Sequence, residues 1–255
     1  MNLYHTISTF EKTGLVKAVT SIRHGGVSQP PYHWLNLADS VEDHPAAVTA
    51  NRRIFFNQIG LDVQDFVFCR QIHSDCVRLV DRIITPSVLP LAEADAMITT
   101  QPSLALGVFT ADCVPIFILD IVTPAIGIGH AGWRGTLAGI AAKVIEAMQR
   151  HFGTHPSDCL AYLGPSIQKC CYTVSPALAD RFEDAFGSEV RYSKRALSLQ
   201  MANVLQLRQM GLLPGAISVT QFCTACRTDL FYSHRAEGGK TGRALSLISL
   251  KLCNH

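Results

Sequence analysis

Charge is scarce in this 255-residue chain: Asp, Glu, Lys and Arg make up 16% of it, and the net charge is +2. Both signs are dispersed, and no run of Lys or Arg forms the basic stripe that a nucleic-acid partner needs, so nucleic acid is set aside as the main partner. Long uninterrupted apolar runs are lacking too. The most apolar region, 104–128, is broken by Asp112, Pro115, Asp120 and Pro124, which excludes a membrane span. The opening "MNLYHTISTFEKTG" has neither the charged start nor the apolar stretch of a secretion signal, so a cytoplasmic protein is expected. Nine cysteines are an odd number for a disulfide framework. A chain of this length buries enough core to do without one, so reduced thiols are expected, some of them free to act as ligands or nucleophiles. Several catalytic signatures are also missing. There is no G-x-S-x-G elbow and no Pro-Cys-x-x-Cys deaminase segment. The repeated His-x-His segments that several coppers would need are absent, which makes an electron-transfer copper oxidase the weakest enzyme reading.

What is present reads as strands and helices intermixed. Residues 45–59 predict a helix, with Pro45 in its first turn and Gly60 at its end. Segments 66–73 and 76–80 predict strands. The runs 104–112 and 114–122 predict two more, too apolar to face water on either side. "AIGIGH" (125–130) predicts a short strand, and 136–152 a helix with Leu137, Ile140, Ala141, Val144, Ile145, Met148 and Phe152 on one stripe. Ser175 and Pro176 start another helix that Gly187 ends; a last helix covers 199–210, followed by strands at 216–222 and 244–250. No linker, repeat or low-complexity segment divides the chain, so residues 1–255 read as one α+β or mixed α/β domain.

Between a strand and a helix lies "GIGHAGWRG" (127–135), in which Gly127, Gly129 and Gly132 satisfy the G-x-G-x-x-G spacing of a dinucleotide turn. The acid expected about 20 residues on, at the end of a second strand, is missing, because Glu146 falls inside the predicted helix. No Gly-Lys-Ser/Thr follows the motif, so a P-loop fails as well. What remains is a sharp turn at a helix N-terminus that offers free N–H groups to an anion, with Arg134 as a fixed charge; a glycine-rich corner that merely packs closely fits the residues equally well.

His130 lies at the end of that strand, Cys113 at the junction of two apolar strands beside Asp112, and His73 at the end of its own predicted strand. Each alone has an ordinary reading as packing or a satisfied polar group. Together they form a His, Cys, His set that suits a tetrahedral zinc with its fourth position open. The same three residues suit thiolate chemistry, with Cys113 as nucleophile and either histidine as base.

The segments "GHAGWRG", "TADCVPI" and "QIHSD" resemble signatures of the laccase-like polyphenol oxidoreductase family, also described as purine nucleoside phosphorylases, to which the bacterial peptidoglycan editing factor belongs. Further segments are similar: "SIRHGGVSQPPYHWLNL" (21–37), "EADAMIT" (93–99), "YLGPSIQKCCYTV" (162–174) and "FYSHRAEGGKTGRALSLI" (231–248). The resemblance spans nearly the whole chain. It implies a four-layer α/β/β/α fold with mixed sheets, and that His73, Cys113 and His130 bind the catalytic metal, zinc in most members and copper in some. It implies phosphorolysis of adenosine, inosine and 5'-methylthioadenosine, with adenosine deamination alongside. Two departures stand out: Thr173 replaces the usual acid after "CCY", and one extra residue separates Ser21 from Arg23.

For such a reaction Arg23, Arg134 and the 131–135 turn are the candidate phosphate holders, and Asp112 or Asp75 the nearest carboxylate for moving a proton. A small-molecule nucleoside and phosphate are the expected partners, with no membrane; the sequence does not specify an oligomeric state. Two other readings compete: a cysteine amidase that edits a cell-wall precursor, and a non-catalytic zinc-stabilised module, which would need a fourth protein ligand. Cys223 and Cys226 form a C-x-x-C with no second pair at zinc-finger spacing, and remain without a role at this level, as do the adjacent Cys170 and Cys171.

Overall fold

The structure is a computed structural model that describes residues 2–81, 90–102 and 104–252. The chain begins with β1 (Tyr4–Thr6), α1 (Ser8–Glu11), β2 (Val16–Ser21) and α2 (Pro45–Ile59). It continues through β3 (Phe66–Phe68), β4 (Val77–Leu79), β5 (Ala96–Thr99), β6 (Ala105–Thr110), β7 (Val114–Asp120) and β8 (Ala125–Ala131). The second half holds α3 (Trp133–Leu137), α4 (Ile140–Phe152), β9 (Cys159–Leu163), α5 (Pro176–Phe186), α6 (Leu199–Gln209), β10 (Ile217–Val219) and β11 (Ala244–Leu250).

Two mixed sheets result, ordered β1-β2-β11-β6-β3 and β10-β9-β7-β8-β5-β4. Among the strands described, β3 with β6, β4 with β5, and β9 with β10 pair in parallel. The sheets stack face to face. Val67, Leu106, Val108 and Ile248 of the first meet Met97, Phe117, Leu119, Ile126 and Ile128 of the second. The outer face of the first sheet is covered by α2, through Phe55, Phe56 and Ile59 against Phe66, Phe68 and Leu247. The outer face of the second is covered by α4, α5 and α6, where Val144, Phe182 and Leu207 pack with Ile98, Ile116 and Ile118. The fold is thus α+β in four layers, α/β/β/α. With both faces of the inner sheets covered, β6, β7 and β8 are buried at every position, which is why those runs lack any polar alternation. Each large apolar side chain buried in this way stabilises the fold by about 1.5–3 kcal/mol relative to exposure.

Where local signals were strong the elements match. The helix from Pro45 to Ile59 is as predicted, and α5 starts with the Ser175 side chain accepting from the Leu178 N–H. Elsewhere tertiary structure differs. The single helix expected over 136–152 is two, because Gly139 takes φ +87° and breaks it, and the first of them begins earlier, at Trp133. The strand expected over 66–73 ends at Phe68, and that over 216–222 covers only Ile217–Val219. Strands β2, β5 and β9 had no strand signal of their own.

The glycines of 127–135 also find their reason here. β8 is antiparallel to both its neighbours, β5 and β7, and β9, the parallel strand reached through α4, lies beyond β7, so the motif does not join two adjacent parallel strands as a dinucleotide turn does. Gly127 lies under α4: a Cβ there would sit 2.7 Å from Val144 Cγ1 and 3.2 Å from Met148 Sδ. Its bare backbone lets the helix approach the sheet. No described helix is long and apolar enough to cross a membrane.

Candidate metal centre

Three chain segments converge at one end of the second sheet. His130 is the penultimate residue of β8, and Cys113 immediately precedes β7. The β7–β8 register pairs Val114 with Ala131, which puts Cys113 across from Gly132. His73 arrives from a loop rather than a strand end, as had been expected. Two side chains hold that loop. The Gln71 amide accepts from the Phe109 N–H and donates to the Phe109 carbonyl, both at 2.8 Å, substituting for the strand pairing that stopped at Phe68. Asp95, just ahead of β5, accepts from the backbone N–H groups of Ile72, His73 and Ser74 at 2.6–3.2 Å and from the Ser74 hydroxyl at 2.8 Å. His73 (φ +60°) and Asp112 (φ +91°) are the described non-glycine residues with left-handed backbone. Such geometry costs about 1–3 kcal/mol each and persists where surrounding structure over-determines it, which is the habit of functional sites.

The donor atoms of His73, Cys113 and His130 lie within 4.8 Å of one another. Cys113 Sγ is 4.0 Å from His73 Nε2, and the two imidazoles meet edge to face with centroids 4.9 Å apart. His130 Nδ1 is 2.9 Å from Asp95 Oδ1. With Nδ1 donating to that carboxylate, Nε2 is the nitrogen left to bind a metal once its own proton is displaced, the carboxylate–histidine arrangement that orients metal ligands. Gly132 completes the cradle: a Cβ there would lie 2.8 Å from His73 Cδ2 and 3.1 Å from Cys113 Sγ. Two nitrogens and one sulphur with an open side are the donor set of a catalytic zinc-type site, so these residues fit and can hold a metal ion.

Electrostatics ties the three together. Burial opposes ionisation of Cys113, but the charge and hydrogen bonding of His130, with His73 adding to both, bring its thiol down to about 6. Burial likewise opposes the charge on His130, and Cys113 and Asp95 reverse this, raising it to about 9. Asp95 is held down at about 2: burial alone would raise it, while the hydrogen bonds from His130 and Ser74 prevail. Metal-free protein therefore holds Cys113 as thiolate from about pH 6 upward. Alkylation of Cys113 by iodoacetamide, followed by peptide mapping, is expected to rise with a midpoint near pH 6 in chelated protein, and to be suppressed once zinc is restored. A midpoint near that of an ordinary thiol, or no protection by zinc, would remove the thiolate from the site.

The centre opens into a cavity of about 890 Å³, within the usual range for ligand sites. Its wall carries five arginines, Arg70, Arg134, Arg195, Arg235 and Arg243, against two carboxylates, Asp39 and Asp112, and the aromatic side chains of Phe68, Phe109, Trp133 and Tyr172. A model of the family described as multi-copper polyphenol oxidoreductase laccase matches residues 17–251. The chain belongs to this family.

Relatives within reach include the purine nucleoside phosphorylase YlmD of Bacillus subtilis (strain 168), 33% identical over 98% of this chain and 99% of that protein. The purine nucleoside phosphorylase Rv2149c of Mycobacterium tuberculosis is 38% identical over 91% of both chains. The crystal structure of the hypothetical protein YfiH of Bacillus licheniformis superposes with a TM-score of 0.93 at 34% identity, covering 98% of this chain and 97% of that one. In this member of the laccase-like family the sequence candidates fall into two groups. His73, Cys113, His130, Asp112 and Arg134 all line the cavity. Arg23 does not: it is buried, donates to the carbonyls of Thr228 and His33, pairs with Glu237 at 3.0 Å and lies over the Tyr232 ring. Asp75 is not among the lining residues either. Asp112 Oδ1 accepts from the Thr224 hydroxyl at 2.6 Å and Oδ2 from the Arg235 N–H at 2.7 Å. Thr173, at one departure from the family pattern, lines the cavity and accepts from Arg235 Nη1. Asp95 and the arginines at 70, 195, 235 and 243 had not been singled out, although Asp95 stands in the quoted segment "EADAMIT" and Arg235 and Arg243 in the quoted segment 231–248.

Among the described residues, metal-type donor groups are this N2S set and one cluster of cysteines; neither is the histidine-rich arrangement that multiple coppers would require.

Proposed function

We propose that residues 1–255 form one zinc-dependent purine nucleoside phosphorylase domain, working in the cytoplasm on adenosine, inosine and 5'-methylthioadenosine, with adenosine deamination as a second activity and copper as the alternative metal. One observation carries the reading: an open N2S donor set faces a cavity that pairs five arginines with aromatic faces. An anion and a flat ring are what such a wall accepts, and phosphate plus a purine nucleoside supply both. The purine nucleoside phosphorylases among its relatives point the same way, and all eight described cysteines are unpaired, as a reducing compartment allows.

The reaction attacks C1' of the ribose with a phosphate oxygen. A C1'–O bond forms, the N-glycosidic bond to the purine breaks, and the departing base takes up the proton that the hydrogen phosphate gives up. Arg134 is exposed at the start of α3 with its guanidinium 4.2 Å from the Trp133 ring centroid, and holds phosphate there as a fixed charge. Arg235 stands over Tyr172 and Arg243 on the same wall, and both add to that field. Asp112 accepts hydrogen bonds at both oxygens, which suits it to fixing the Arg235 loop. Arg23 acts at a distance from the cavity by joining the 23–33 loop to the segment 228–237. Burial of His130 on Asp95 keeps its Nε2 aimed at the centre, and the bare Gly132 leaves room for the metal. When bound, a divalent ion would supply Lewis acidity at the open side of the set.

Zinc-loaded protein with inosine is expected to release hypoxanthine and ribose 1-phosphate only when phosphate is present, and to lose this activity on chelation. Release of the base at equal rate without phosphate would overturn phosphorolysis.

A second reading has its own observation. Cys113, His130 and Asp95 stand in the order nucleophile, base and orienting carboxylate, with the thiol already lowered to about 6. That arrangement supports a cysteine amidase acting on cell-wall precursors. Amide cleavage that survives chelation, with no phosphorolysis of either nucleoside, would favour it.

A further inference from the structure

Four cysteines that the cavity does not use come together on the far side of its wall. Cys170 and Cys171 lie in the loop after β9, Cys223 and Cys226 in the turn after β10. Their sulphurs lie within 4.8 Å of one another, with Cys226 Sγ 3.3 Å from Cys171 Sγ and 3.6 Å from Cys170 Sγ. Four donors around a tetrahedral zinc at about 2.3 Å would stand about 3.8 Å apart, a spacing inside the range observed. A disulfide would use two of the sulphurs and leave two unexplained; a single soft cation uses all four.

The backbone is arranged for the same end. Cys223 is buried at the inner corner, and its Sγ accepts the Gln168 N–H at 3.4 Å and a second N–H from Cys226. Backbone N–H groups aimed at sulphur favour the thiolate, the form a metal binds. The other three sulphurs lie toward the surface, where an ion can enter. The two loops are already paired: Ser166 bridges Cys223, the Thr224 N–H donates to the Ser166 carbonyl at 3.1 Å, and Gln168 Nε2 to the Thr220 carbonyl at 3.2 Å.

We propose that Cys170, Cys171, Cys223 and Cys226 form a second, closed metal site that takes zinc or a metal of like softness through four thiolates. All four positions are filled by protein, so the site is structural and leaves no room for substrate. Its effect on function runs through the wall. Ile167, Tyr172 and Thr173 of the first loop line the cavity, and Thr224 of the second donates to Asp112, the neighbour of Cys113. An ion here would clasp the two loops that carry one side of the cavity, and each of the four thiols would give up a proton as it binds.

Cobalt(II) separates this site from the first. Reduced, chelator-treated Cys113→Ala lacks the N2S set but keeps the cluster intact. Titrated with Co²⁺, it is expected to bind about one equivalent, with the intense thiolate-to-metal charge-transfer absorption and strong visible bands of a tetrahedral tetrathiolate, which Zn²⁺ then abolishes. Adding Cys223→Ser and Cys226→Ser should remove those bands. Cys170→Ser, at an exposed position whose loss the fold tolerates, should weaken and shift them. The proposal fails if reduced Cys113→Ala, with its thiols confirmed free, shows no charge-transfer band. It fails equally if non-reducing mass spectrometry of the native protein finds a disulfide within the cluster. Neither failure touches phosphorolysis, which is read on wild-type protein at the other site.

Discussion

Replacing Cys113 by alanine is expected to lower kcat/KM for phosphate-dependent cleavage of inosine by about 10³-fold or more, with metal at the N2S set lost in parallel. Lewis-acid stabilisation of a transition state is worth several kcal/mol, and about 4 kcal/mol corresponds to 10³ in rate. Two histidines alone leave the site with one anionic donor fewer, and His130 loses the thiolate that helps hold its charge. The fold should survive, because Cys113 sits in a turn between β6 and β7 rather than in one of the core clusters. Metal content by elemental analysis and thermal unfolding of the same preparation separate loss of the ion from loss of the fold. Near-native activity in a folded, metal-poor variant would sever the metal from the reaction.

The second large effect belongs to a residue that touches no substrate. Asp95→Asn is expected to weaken metal binding about 10–100-fold, the usual consequence of removing the carboxylate behind a ligating histidine. It should also destabilise the metal-free protein. Asp95 titrates at about 2 in the fold against about 3.9 in an unfolded chain, and a shift of that size corresponds to about 3 kcal/mol. The sign follows from the lowered value: the carboxylate's contribution is complete above about pH 4 and disappears as pH falls through about 2. Denaturant unfolding of chelated wild-type and Asp95→Asn proteins should therefore differ by about 3 kcal/mol at pH 7, and the gap should close toward pH 2. Equal stability at pH 7 together with unchanged zinc affinity would show that Asp95 neither orients His130 nor anchors the 72–74 loop.

Much of the candidate site was legible as residue types. A histidine and a cysteine at the ends of apolar runs, and the segments that resemble the family, pointed to His73, Cys113 and His130, and the structure brings these three together. Asp95 was harder to see because its partners are three backbone N–H groups, the Ser74 hydroxyl and a ring nitrogen of His130, which lie 21 to 35 residues away in the chain. Arg23 was picked for its charge. In the fold that charge is consumed by the His33 carbonyl nearby and by Glu237 and the Thr228 carbonyl, the last two more than 200 residues away in the chain. The arginines that do line the cavity come from four stretches: Arg134 stands in the 127–135 motif and Arg235 and Arg243 share the 231–248 segment, while Arg70 and Arg195 lie in neither.

The amino-acid sequence by itself determined the short-range features, because their causes are short-range. Pro45 and Gly60 bound α2, Ser175 caps α5, and runs apolar on both faces could only be strands covered on both sides. Only the tertiary structure decided that Gly127 of "GIGHAGWRG" lets α4 pack closely while His130 and Gly132 face His73 and Cys113, since those neighbours come from other segments. It alone carried His73 to Cys113 across 40 residues, and it alone gathered two unremarkable cysteine pairs into one cluster. The physical reason is common to all three: such contacts form between segments whose separation is closed by sheet register and core packing, and neither is encoded in any one segment.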